Sequence, residues 1–287
     1  MSRPFITADN RCISVEGFCK FRDYFYTKTG IYFDDSKRYF VDRRLLERMH
    51  ALGAQNFNDY FSVLRLEANG AEFQALVNLM TTNETYFFRE EYQFKCLVES
   101  VLPELMKDRP PQPLRIWSVP AASGEEPYSI AIYLLEHWAD VDTHEIELLA
   151  SDIDTRMLQQ AQAGEYTPRA VQYLPAHLLA KYFQPLPNGN FLISADLRGS
   201  VNFSTVNIND LTQTQAFREM DIIFCRNLLI YFNDLSRREA AEMFYEALKP
   251  GGFICLGHSE SMSRISPLFT ARRFSDGIIY QKPGRAR

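Results

Sequence analysis

The sequence predicts an α/β protein: a doubly wound, mostly parallel sheet with a small antiparallel insertion, preceded by an all-helical N-terminal domain. From Leu114 onward, strand-like runs alternate with helix-like ones. "LRIWSV" precedes "EEPYSIAIYLLEHWA", "EIELLASD" precedes "DTRMLQQAQAG", and "MDIIFCRN" precedes "DLSRREAAEMFYEALKPGG", with "FICLGHSE" after it. Such alternation builds parallel strands joined by right-handed crossovers. Before it, from about Val15 to Met80, apolar residues recur at helical spacing and strand signals are few.

Taken in order, "VEGFCKFRDYFYTKTG" ends on Gly30, a C-cap residue, and "DDSKRYFVDRRLLERMHALG" opens on capping residues and stops at Gly53. "NFNDYFSVLRLEANG" opens on a cap and closes on Gly70, and "AEFQALVNLM" follows. These short helices form the first domain, residues 1–82. Residues 83–113 form an interdomain segment and helix, and residues 114–287 carry the sheet. Between Tyr166 and Asn207 the alternation breaks: "PAHLLAKYF", then "NGN" between "FLIS" and "VNFS", reads as a small antiparallel insertion at about 168–206.

Composition narrows the function classes. With 46% hydrophobic and 14% aromatic residues, the 287-residue chain can pack a sizeable core and is not a disordered protein. No apolar run is long enough to span a bilayer and no signal core opens the chain, so a cytoplasmic location is expected. The net charge of −5 gives no reason to expect nucleic acid as a partner. Residues 1–80 are nearly neutral, eleven Lys/Arg against ten Asp/Glu, and the acidity lies in the remainder. Five scattered cysteines (Cys12, Cys19, Cys96, Cys225, Cys255) form no CxxC pair, which argues for reduced thiols and against zinc.

The turn after the first strand carries the most chemistry. In an open α/β sheet, ligands bind beyond the carboxyl ends of the strands. A dinucleotide site there wants G-x-G-x-x-G, so that backbone N–H groups can approach the pyrophosphate. Here the turn reads "VPAASGEEPYS", with one glycine and two glutamates. Two carboxylates would repel a pyrophosphate, whereas a cationic ligand reverses the sign. S-adenosylmethionine, with a sulfonium and an α-ammonium and no phosphate, fits that requirement; a nicotinamide cofactor does not. Glu125 can also simply complement the dipole of the helix that it starts. The second strand ends in "LLASDIDT", where Asp152, 28 residues after Gly124, is placed to accept hydrogen bonds from ribose hydroxyls. Asp154 is placed to cap the next helix.

Five stretches together, "TTNETYFFRE", "ASGEEPYSIAI", "ASDIDTRML", "FCRNLLIYF" and "LKPGGFICLGHSE", resemble the chemotaxis receptor methyltransferases, the CheR family, over both regions of the chain. The resemblance implies a Rossmann-like methyltransferase domain with a small β-subdomain behind a helical N-terminal domain. It implies transfer of a methyl group from S-adenosylmethionine to glutamate side chains on cytoplasmic helices of chemoreceptors, leaving S-adenosylhomocysteine. Carried over by position, it places Asn83, Thr85 and Arg89 along the cofactor, Glu126 facing it and Asp152 on the ribose. Asn207 and Ile208 fall near the adenine, and Arg226 and Asn227 complete the pocket, with Tyr231 close to the transferring methyl. Within the turn, Val119 and Pro120 stand where family members commonly carry serine or cysteine.

An ionised glutamate is already a nucleophile, so in-line displacement at a sulfonium methyl needs alignment and exclusion of water, with neither a general base nor a metal. Arg89 is expected to pair with the incoming carboxylate or to orient Tyr231, and Tyr231 to position the acceptor. The "NPPY"-type motif of amino-methylating nucleic-acid enzymes is absent, and "RNLLIYF" stands in its place. A non-catalytic cofactor-binding adaptor is the alternative reading. His258 in "GHSE" is expected to make a structural hydrogen bond.

For the substrate, Lys37, Arg44 and Arg48 share nearly one face of a helix, beside Val41, Leu45 and Leu52. That face is either a docking surface for an acidic receptor bundle or a solvated helix face paired with Asp42 and Glu47. The short, proline-containing turn "QPLPNGN" argues against tethering of a receptor C-terminal peptide by strand addition.

Overall fold

The computed structural model describes residues 13–107 and 111–284, so Cys12 lies outside the described residues. The chain forms two compact units that divide between Thr82 and Asn83.

In the first unit, helix α1 (Val15–Thr29) starts where the Ser14 side chain accepts the Gly17 N–H and stops at Gly30, whose φ of 73° is left-handed. A 3-10 turn (Asp35–Lys37), capped by Asp34, leads into α2 (Arg38–Ala51). Helix α3 (Phe57–Leu66) is capped by Asn56. Gly70 does not close α3, which ends at Leu66; it is the residue from which α4 (Ala71–Met80) starts. Phe18, Phe21, Phe25, Val41, Leu45, Tyr60 and Leu76 are buried between the helices. Burying a side chain of this size contributes roughly 1.5–3 kcal/mol, which is what orders helices this short.

The second unit is built on a seven-stranded sheet. Its strands are β1 (Leu114–Ser118), β2 (Ile146–Asp152), β6 (Val201–Thr205), β7 (Met220–Cys225), β8 (Leu248–Leu256), β9 (Thr270–Phe274) and β10 (Gly277–Gln281). The order is β6-β2-β1-β7-β8-β10-β9: the first five are parallel, and β10 runs antiparallel to its neighbours β8 and β9. All six residues of β7 are buried, as befits a central parallel strand covered on both faces. Successive crossovers run one way from β1 through β2 to β6 and the other way from β7 to β8. The switch point therefore lies between β1 and β7, where such sheets open a crevice.

Residues from Asn83 onward belong to this second unit, including the helical run Tyr92–Cys96 and Leu102–Met106 with a π turn, Leu97–Val101, between. Phe88, Phe94, Leu97 and Leu102 are part of its core, so the stretch expected to link two domains packs into the sheet domain.

A separate three-stranded antiparallel sheet forms from β3 (Glu165–Tyr166), β4 (Phe183–Pro185) and β5 (Phe191–Ile193). The turn between β4 and β5 closes with Leu186 N–H on Asn190 O, and the Asn188 and Asn190 side chains donate to Glu165. "VNFS" corrects the sequence expectation. It is not part of the small sheet but lies in β6, parallel to β2 in the register Leu148↔Val201 to Asp152↔Thr205. A short helix, Ala195–Gly199, carries the chain back to the main sheet first, so the strand returns as a parallel crossover.

Candidate active site

The carboxyl ends of β1, β2, β6 and β7 bring together most of the residues expected to matter. The turn after β1 is laid across its neighbours by backbone bonds: Val119 N–H to Phe224 O and Ala121 N–H to Ser151 O, both 2.8 Å. The Val119–Pro120 bond within it is cis. Gly124, with φ of 94°, then opens the helix Glu125–His137. A Cβ there would lie 2.9 Å from the Ala161 Cβ and 3.0 Å from the Tyr166 hydroxyl, so the single glycine of the turn serves close packing.

At the end of β2, Asp152 is 3% exposed. Its Oδ2 accepts the Ala122 N–H and its Oδ1 the Asp154 N–H, each at 2.8 Å. Burial pushes its carboxyl up to about 6, against those two hydrogen bonds and one from Ile153. Asp154 caps the helix Thr155–Ala163 through the Arg156 and Met157 N–H groups, and the Asn83 amide donates to its other oxygen at 2.8 Å. Asn83 is thus held beside the β2 terminus. Val206 N–H bonds Asp152 O at 3.0 Å, which sets Asn207 and buried Ile208 next to the same strand end. Asn207 is folded into a tight turn, its Oδ1 accepting the Asn209 N–H.

Glu126 and Arg226 form an ion pair at these strand ends. The Glu126 carboxylate does not confront the crevice as an isolated charge. It accepts the Ser118 hydroxyl at 2.8 Å and pairs with the Arg226 guanidinium at 3.0 Å. Arg226 also pairs with Glu90 at 3.3 Å and donates to the Arg89 backbone carbonyl at 2.6 Å. Its side chain is only 2% exposed. The physical reason is the cost of an uncompensated buried charge, several kcal/mol, which an internal counter-ion removes. Burial raises the Glu126 carboxyl, opposed by Arg226 and Ser118. Burial also acts on Glu90, but there Arg226 and the His258 hydrogen bond prevail and hold it below the usual carboxylate range. His258 makes that bond through Nδ1 at 2.8 Å. Two carboxylates and one guanidinium leave this cluster anionic by about one charge.

The loop 83–90 is locked into the domain by Phe87 N–H on Ala170 O and Phe88 N–H on the Ser129 hydroxyl. The Phe87 ring packs edge-on against Tyr166 and Phe183, as a core aromatic. Arg89 turns outward: its guanidinium donates to Glu84 O at 2.6 Å and lies 5.8 Å from the Tyr86 ring centre. Thr85 is half-buried in the same loop. Asn227 directly follows Arg226, and Tyr231 closes the 3-10 turn Leu229–Tyr231. Phe88, Glu90, Ala122 and Asn227, all on the loops that frame the strand ends, adopt positive φ without being glycine. Such strain persists where the surroundings over-determine the backbone, and it gathers at ligand sites.

Lys37, Arg44 and Arg48 lie in the first unit and do not form a free basic face. Arg44 donates to the Leu79 and Phe40 carbonyls and stacks on Phe40, 3.4 Å from its centre. Arg48 forks onto buried Glu72, which the Tyr60 hydroxyl also reaches at 2.8 Å. Lys37 belongs to the 3-10 turn before α2 and is exposed.

The donor set fits S-adenosylmethionine. Among the described residues the turn after β1 offers one glycine and no cradle of glycine N–H groups for a phosphate, and the strand ends carry carboxylates, with Asp152 closing β2. Comparison with known families decides the identity. Residues 16–81 match the "CheR methyltransferase, all-alpha domain" and residues 83–277 the "CheR methyltransferase, SAM binding domain". The chain belongs to the CheR methyltransferase family. It is 53% identical over 270 residues to "Chemotaxis protein methyltransferase 2" of Vibrio cholerae, covering 94% of each chain. The "Chemotaxis protein methyltransferase" of Salmonella typhimurium is 37% identical, covering 86% of this chain and 84% of that one. The Escherichia coli protein of the same name is 34% identical, covering 86% and 85%. This CheR-family chain is therefore an S-adenosylmethionine-dependent methyltransferase of chemotaxis, and the adaptor reading is not favoured. No helix among the described residues is long and apolar enough to cross a membrane.

Sequence reasoning missed two participants in this site. Glu90 stands one residue beyond Arg89, and Glu260 closes the "GHSE" stretch two residues after His258. Both are acidic residues at loop positions, and the signal that could have found Glu90 was the need of buried Arg226 for counter-charge.

Proposed function

We propose that this enzyme methylates glutamate side-chain carboxylates on the cytoplasmic helices of chemoreceptors, giving methyl esters and S-adenosylhomocysteine, and that it works in the cytoplasm at receptor arrays. The observation that carries the reading is Asp152: a buried carboxylate at the end of β2, beside a turn with no phosphate cradle. Backbone N–H groups of Ala122 and Asp154, with that of Ile153, occupy part of the about four acceptor positions a carboxylate offers. Ribose hydroxyls would use the remainder. Asn207 and Ile208 would border the adenine, and Asn83, Thr85 and Asn227 the rest of the ligand. Glu126 and Arg226 would act as a charge-balanced floor, setting the conformation of the Arg89–Glu90 backbone.

When bound, S-adenosylmethionine supplies a methyl electrophile on a sulfonium. The protein's part is alignment. Tyr231 would orient the acceptor carboxylate, and Arg89, turned outward, would guide it in. Strong neutralisation by Arg89 would blunt the nucleophile, so orientation is its better use. With Arg44 and Arg48 engaged inside the helical unit, of the three basic residues Lys37 is the one left to meet an acidic bundle there. The compact Asn188–Asn190 turn favours recognition without peptide tethering.

Receptor-containing membranes incubated with methyl-labelled S-adenosylmethionine test this. Label should appear on receptor protein and be released by mild base, as carboxyl esters are. Base-stable label, or label on nucleic acid, would overturn the proposal.

A further inference from the structure

The loop after β8 holds a carboxylate that the reaction does not use directly. Glu260 Oε2 accepts the N–H of Asn227 at 2.8 Å and of Gly257 at 2.9 Å, and Oε1 accepts the N–H of Leu229 at 2.8 Å. Three charge-assisted bonds thus converge on one side chain and tie the end of β7 to the end of β8. Asn227 sits at φ of 59°, a left-handed conformation that asparagine adopts more readily than most side chains. Gly257 leaves room for this arrangement: a Cβ at 257 would lie 2.8 Å from Asn227 Nδ2 and 3.0 Å from both Asn227 N and Glu260 Oε2. The conformation of residues 227–229 is set by this clamp, and Tyr231 follows two residues later.

We propose that Glu260 is a positioning residue for methyl transfer, holding the backbone of Asn227 to Leu229 so that the Asn227 and Tyr231 side chains meet cofactor and acceptor. The proposal rests on the assignment of those two residues given above. A bare carboxylate suits the task because every group facing it is a donor. An amide of the same shape would set an N–H₂ against at least one backbone N–H, leaving a buried donor unpaired and the loop displaced.

The test is Glu260→Gln in the full chain, read by calorimetric titration with S-adenosylhomocysteine, by kcat and KM on receptor membranes, and by denaturation. A weakening of S-adenosylhomocysteine binding by about tenfold or more is expected, with a comparable fall in kcat, at temperatures where the variant is fully folded. Gly257→Ala strains the same loop with Glu260 intact, and should reproduce the pattern at smaller size. A lowered denaturation midpoint with wild-type affinity and kcat in both variants would make Glu260 merely structural and overturn the proposal. Failure of the wild-type protein to bind S-adenosylhomocysteine would instead remove the site assignment itself, and the positioning role with it.

Discussion

Asp152 shows how burial and ligand chemistry oppose each other at one side chain. Its carboxyl is raised to about 6 because water is excluded, despite backbone hydrogen bonds from Asp154, Ala122 and Ile153. A raised acid favours the folded chain when protonated, so its contribution to stability is present on the acid side and lost as pH rises through about 6. Ribose hydroxyls, which donate, favour the opposite, ionised form. Affinity for S-adenosylhomocysteine should therefore hold above pH 6 and weaken below it, by up to about tenfold per pH unit. Titration calorimetry across pH 5 to 7.5 checks this, with Asp152→Asn as the comparison. The variant should bind weakly, with that pH dependence gone; an unchanged profile would take Asp152 out of the ribose site.

Among the elements, the turn from β1 into the helix Glu125–His137 is held from several sides. Its backbone is bonded to β2 and β7, and Tyr166, from the small sheet, donates its hydroxyl to Ser123 O at 2.8 Å. Gly124 lies at the centre of that crowding, left-handed and with no room for a Cβ. Gly124→Ala should cost upward of about 1 kcal/mol from backbone strain alone, more with the clash. Faster hydrogen exchange across β1, β2 and the helix Glu125–His137 would show it. A neutral outcome would mean that the turn can relax, and that its register with Asp152 is not rigid.

On the scale of the whole molecule, the residues assigned to the cofactor all belong to the second unit, whereas Arg48, Glu72 and Tyr60 form a buried network within the first. Arg48→Ala leaves Glu72 without its cation and should destabilise the helical unit by roughly 2–3 kcal/mol. Because the chain has two units, a single unfolding midpoint is a poor measure. Hydrogen exchange should show lost protection across α2 and α4, while S-adenosylhomocysteine affinity stays within about twofold of wild type. A collapse of affinity would mean that the helical unit helps build the cofactor site.

Much of this protein was legible in its sequence because the relevant forces act over a few residues. Apolar periodicity set the helical and alternating regions, Asn56 and Asp154 cap helices through N–H groups two or three residues away, and the glycine-poor acidic turn pointed away from phosphate. What only the tertiary structure decided depends on partners far along the chain. Glu126 meets Arg226 across 100 residues, Glu260 reaches Asn227 across 33, and Arg48 is absorbed by Glu72 across 24. Strand β6 joined the main sheet because its pairing partner was β2, not the hairpin beside it in sequence. Burial is a property of the assembled fold: it determines which charges must find counter-ions, and so which stay available for chemistry.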